Sequence, residues 1–107
     1  MGCDIHGWVE KKIGDKYVAI KELVDSSRNY IGHENTPEPK GVPDDVSDTC
    51  QYYIDKWDCD GHSHSYMPLD QAFVIFKSTG DMKYSYNYFG VDEEEMEGCR
   101  LVFWFDN

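Results

Sequence analysis

The chain has 107 residues and a mass of 12.5 kDa, one domain's worth and enough to bury a modest core without disulfides or a metal. A hydrophobic share of 40% and an aromatic share of 15% argue against disorder, even at a net charge of −11. That charge argues against nucleic acid as a direct ligand, because phosphate binding needs clustered Lys and Arg; cationic partners and divalent metal ions are easier to accommodate.

No apolar run approaches the roughly 20 residues that span a bilayer, and the opening residues do not read as a secretory signal. "MGCDIH" starts like a myristoylation signal, but His6 stands where Ser or Thr is wanted. Cys3, Cys50, Cys59 and Cys99 include no CxxC pair, so reduced thiols in a cytosol are expected.

In chain order, "DIHGWVEKK" reads as a strand with Asp4, His6, Trp8 and Glu10 on one face and Ile5, Gly7 and Val9 on the other. "IGDK" is a hairpin turn, and "KYVAI" is the returning strand. Residues 25 to 43 are rich in turn formers and read as a long irregular connection. "PDDVSDTCQYYIDKW" places Val46, Cys50, Tyr53, Ile54 and Trp57 at helical spacing, with Asp44, Asp45 and Asp48 complementing the helix dipole. "PLDQAFVIFKS" is a second helix with Leu69, Ala72, Phe73 and Phe76 as its buried stripe.

"MKYSYNYF" alternates like a strand, "VDEEEMEG" is an acidic connector, and "CRLVFWF" is a strand covered on both faces. These elements predict one α+β domain over residues 1–107. Its small, mainly antiparallel sheet would comprise the N-terminal hairpin and the C-terminal strand, with two helices packed on one face.

Two stretches concentrate chemistry. Asp4 and His6 are two apart on a strand and share a face, a spacing that serves a metal ion or an acid–base pair. In "DCDGHSHSY", Asp60, His62 and His64 would also share a side if the segment is extended. Imidazole and carboxylate together suit zinc or another divalent ion, and Cys3 and Cys59 could add thiolate. The competing reading is a polar turn that caps the following helix. Walker and Gly-x-Ser-x-Gly patterns are absent, and Arg28, Lys40 and Arg100 are the cations considered for holding a phosphate. A third histidine, His33, lies in the long connection. Tyr84, Tyr86 and Tyr88 have period two and, with the acids Asp92, Glu93, Glu94, Glu95 and Glu97, form a candidate contact surface for a partner.

The same stretches resemble a group of small proteins encoded by phages and by bacteria that carry prophages. "MGCDIH" followed by "VEKK" is similar to that group's opening, and "GVPDDVS" to its Gly-Leu-Pro-x-Asp-x-Ser segment. "WDCDGHSHSYMPLDQ" is similar to its Trp-x-x-Asp-Gly-His-Ser-His-Ser-Trp-Leu-Thr-Leu-x-Glu stretch, with Tyr66, Met67 and Pro68 departing from it; "LVFWFDN" is similar as well.

The resemblance implies a phage accessory protein inside a bacterial host. By analogy it would inhibit an anti-phage defence system, gripping a host defence protein such as a CRISPR effector or sequestering an immune nucleotide signal, without turnover. The alternative is a metal-dependent hydrolase or phosphodiesterase built on Asp4, His6, Asp60, His62 and His64, or the same residues as a purely structural metal site.

Overall fold

The structure, a computed structural model, describes residues 4–23, 36–78 and 89–106. Strand β1 (Asp4–Ile13) turns through Gly14 and Asp15 into β2 (Lys16–Glu22). Gly14 sits at φ +67°, the positive value that a two-residue hairpin turn asks of its first residue. Helix α1 (Asp48–Trp57) follows, then a 3₁₀ turn (Asp58–Asp60), β3 (Gly61–Pro68), α2 (Leu69–Ser78), a second 3₁₀ turn (Glu93–Gly98) and β4 (Cys99–Asp106). The four strands form an antiparallel sheet in the order β2-β1-β4-β3.

The expected α+β class, hairpin, two helices and C-terminal strand are all present. Strand β3 is an addition to the expected sheet, arising from "GHSHSYMP", in which Ser65 and Met67 are buried. Its Pro68 stands at the end of an edge strand, where a missing N–H costs little.

The helices occupy opposite faces of the sheet, correcting the expectation that both pack on one. Leu69, Ala72 and Phe76 of α2 join Ile5, Val9, Leu101, Phe103 and Phe105 on one side. Cys50 and Ile54 of α1 join Val102 and Trp104 on the other, with Trp8, Tyr53 and Trp57 packed around them. The cause lies in β4, which is buried along both faces. With two helices on one side, either Val102 and Trp104 or the Leu101–Phe103–Phe105 row would face water.

Helix α1 begins where the Ser47 hydroxyl accepts the Cys50 N–H at 3.2 Å, and its outward face is tied by Gln51 donating to Asp55 at 2.8 Å. It stops at Asp58, whose φ of +48° turns the chain out of the helix. Residues 82–88 of the expected strand "MKYSYNYF", including Tyr84, Tyr86 and Tyr88, lie outside the described residues, as do Cys3, Arg28 and His33; its last residue, Phe89, is buried in the α2-side core.

Candidate functional site

The motif-bearing stretches converge on the α1 side of the sheet. His6 of β1 lies opposite Trp104 of β4, and Asp4 lies opposite Asp106. On the other flank of β4, Gly61 lies opposite Asp106. Asp106 Oδ2 accepts a hydrogen bond from His6 Nε2 at 2.8 Å. The imidazole packs against the Trp57 ring, with centroids 4.3 Å apart and planes tilted by 33°. His64 stacks on Trp104 at 5.9 Å.

Trp104 therefore stands between the two histidines. The His6 and His64 strands are separated by two strand spacings, about 10 Å in ordinary sheet geometry. Gly61 makes room for this arrangement: a Cβ there would lie 3.0 Å from Trp104 Cδ1 and 3.6 Å from His64 Nε2. His64 Nε2 and Trp104 Nε1 are both buried without a hydrogen-bond partner among the protein atoms described. Burial, helped by the neighbouring His62, lowers the His64 pKa and favours the neutral ring.

His62 and His64 do not share a side, contrary to the alternation assumed for an extended segment. Ser63 adopts φ +58° and the register shifts between His62 and Ser65, which inserts a bulge. His62 thus falls opposite Phe105, whose ring belongs to the α2-side core, while His64 joins Trp104. Asp60 is exposed in the 3₁₀ turn, not on the strand. Among the described residues, no group of three or more His, Cys, Asp or Glu side chains is placed to hold a metal ion. The side chains of Asp4, Cys59 and Glu93 lie outside the description, as does Cys3.

A second polar constellation escaped the sequence reading. Glu10 is fully buried, and its Oε2 accepts the Ser47 backbone N–H at 2.8 Å. Arg100 donates to Glu10 Oε1 through Nε at 2.8 Å, and its Nη1 donates to Asp45 Oδ1 at 2.9 Å. The guanidinium carbon lies 3.5 Å from the Tyr17 ring centroid. Burial opposes the Arg100 charge, but the hydrogen bonds to Glu10 and Asp45 outweigh it and raise its pKa. The hydrogen bond from Arg100 in turn lowers that of Asp45. The available signal was parity: Glu10 is an acid on the strand face that Trp8 helps to bury.

Arg100 is thus engaged in an internal ion pair. Lys40 is exposed, its ammonium 4.5 Å from the Tyr66 ring centroid. Cys50 is no nucleophile, since burial and the nearby Glu10 charge push its thiol up to about 12.

The acidic connector divides between structure and surface. Asp92 and Glu95 form a capping box, in which Glu95 Oε1 accepts the Asp92 N–H at 3.0 Å, and Lys11 reaches Glu95 Oε2 at 3.2 Å. Met96 is buried beneath, whereas Asp92, Glu94, Glu95 and Glu97 are exposed. A longer acidic surface runs along α1 and its flanks, where Asp44, Asp45, Asp48, Asp55, Asp58 and Asp60 are all exposed. Beside it, Glu22, Tyr53, Lys56, Trp57 and Asp60 line a cleft of about 390 Å³.

No helix among the described residues is long and apolar enough to cross a membrane. Comparison of the chain with family models, curated proteins and solved structures finds no match.

Proposed function

We propose that this chain is an acidic binding protein that acts without turnover, gripping a basic surface on a host protein. In this reading it serves a phage as an inhibitor of a bacterial defence system such as a CRISPR effector. The observation that carries it is the division of labour among charges. The Arg100 network with Glu10 and Asp45 and the His6–Asp106 pair bind the fold together, while Asp44, Asp48, Asp55, Asp58 and Asp60 along α1 and its flanks face outward. The cleft beside them carries Glu22 and Asp60 but also Lys56, whose ammonium lies 5.8 Å from the Tyr53 ring centroid, so the exposed aspartates rather than the cleft supply the attraction for a basic partner.

A protein partner is favoured over an anionic nucleotide signal, because Arg100 is engaged with Glu10 and Asp45. Phage plating on bacteria carrying defined defence systems tests the reading. Expression of the chain is expected to restore plating on at least one defended host and to co-purify the defence protein. That complex would dissociate as salt rises from about 0.05 M to 0.5 M. Unchanged plating on every defended host would remove the reading.

A metal ion on the α1-side face at His64, structural or hydrolytic, is the second reading, with Trp104 standing between it and the His6–Asp106 pair. It is favoured by the unpartnered His64 Nε2 and by the shared sheet face. Metal analysis of untagged wild type and of His6→Ala with His64→Ala decides it. Bound zinc in the first and none in the second supports it; none in either ends it.

A further inference from the structure

We propose that β2 pairs antiparallel with β2 of a second copy of this chain, joining the two sheets edge to edge. The order β2-β1-β4-β3 leaves two outer edges, and they differ. The β3 edge is covered by the segment before α1: His64 O accepts the Gly41 N–H at 2.8 Å, and Ser65 Oγ accepts the Lys40 N–H at 3.1 Å. Pro68 closes its far end. Along β2, no described strand pairs with the outer edge, and "KYVAIKE" contains neither Gly nor Pro; its one irregularity is a bulge at Ile20, which the register with β1 skips, so pairing must accommodate that bulge in each copy.

Exposed apolar residues gather on this hairpin. Ile13, Val18 and Ile20 are 57%, 43% and 39% exposed, and the only other exposed large hydrophobics among the described residues are Tyr52 and Val74.

Charge identifies the occupant. Within residues 4–22 the acids Asp4, Glu10, Asp15 and Glu22 cancel Lys11, Lys12, Lys16 and Lys21, so the whole net charge of −11 resides elsewhere in the chain. The hairpin is thus the surface where two copies of this acidic protein meet with least repulsion. Antiparallel pairing centred on Ala19 brings Lys16 of each copy to the end where the other presents Glu22, and gathers Val18 and the bulged Ile20 of both copies along the seam. Lysines ordinarily guard an edge against indiscriminate strand addition. Here an identical strand answers Lys16 with Glu22.

A seven-residue strand pair buries less than the roughly 1,200 Å² of a standard stable interface, so the dimer is weak, with dissociation in the micromolar range or above. Because the charge outside the hairpin repels, association strengthens as salt rises, opposite to the salt dependence of binding a basic partner.

Sedimentation equilibrium on the whole chain tests this, over about 10 µM to 1 mM protein and at about 0.05 M and 0.5 M salt. The wild-type mass is expected to climb from 12.5 kDa towards twice that value, further at high salt. Val18→Lys with Ile20→Lys, both at exposed positions, should keep the circular dichroism spectrum and stay monomeric, although the substitutions reduce the net negative charge. Val74→Lys, on the outer side of α2, should dimerise like wild type. A wild-type mass that stays at 12.5 kDa at both salts, or a β2 variant that dimerises undiminished, overturns the proposal.

Discussion

His6, His64 and Trp104 show how single residues acquire meaning from their neighbours. Each histidine was conspicuous in the sequence, but Trp104 reads there only as one residue in an apolar run. The structure sets it between them and leaves its indole N–H unpartnered among the protein atoms described. Burial of His64 has a measurable sign. Its folded pKa lies below the ordinary value of about 6.5, so an NMR titration should place its midpoint under that of a peptide histidine. The unfolded chain then binds the proton more readily, and this residue reduces stability as pH falls from the ordinary value through the lowered one. His64→Phe should flatten that part of the pH profile.

Arg100 carries a larger effect. Its guanidinium is 8% exposed against a fully buried Glu10 carboxylate. Arg100→Met strands that carboxylate and is expected to cost about 3–5 kcal/mol in urea denaturation, whereas adding Glu10→Met recovers much of the loss. Gly7 is constrained by approach, since a Cβ there would lie 2.5 Å from the Val102 carbonyl oxygen. Gly7→Ala should cost about 1–3 kcal/mol by forcing β1 from β4.

At the scale of elements, periodicity carried most of the reading. The first hairpin and both helices were legible because their apolar residues recur at two or at three to four positions, and β4 because its apolar run is unbroken. Strand β3 was not, because Gly61, Ser63 and Ser65 are poor strand formers and its pairing comes from β4 rather than from local preference. The bulge at Ser63 reversed the expected relation of His62 to His64, and no residue type in "HSH" announces a positive φ. Opposite placement of the helices was implicit in β4, whose apolar residues occupy both parities. The helical stripes alone could not say which face each would cover. Ser47 falls within the stretch of helical spacing, and the structure makes it the cap: Ser47→Ala should lower stability by about 1 kcal/mol in the same denaturation assay while its backbone bond to Glu10 persists.

At the scale of the whole molecule, charge is segregated. The first hairpin is neutral, the buried Glu10–Arg100 pair is internal, and Asp44, Asp48, Asp55, Asp58 and Asp60 are exposed along α1 and its flanks. Such a surface is soluble by repulsion and selective for basic partners by attraction, both weakened by salt. The most direct measurement is phage plating on defended hosts expressing the wild-type chain, repeated with Asp48→Asn, Asp55→Asn and Asp60→Asn combined. These residues are exposed, and an asparagine at position 55 still offers Oδ1 to Gln51, so the variant should fold and melt close to wild type. Loss of protection at least tenfold with the fold intact is the predicted result. Protection equal to wild type would contradict the assignment of this acidic band as the binding surface.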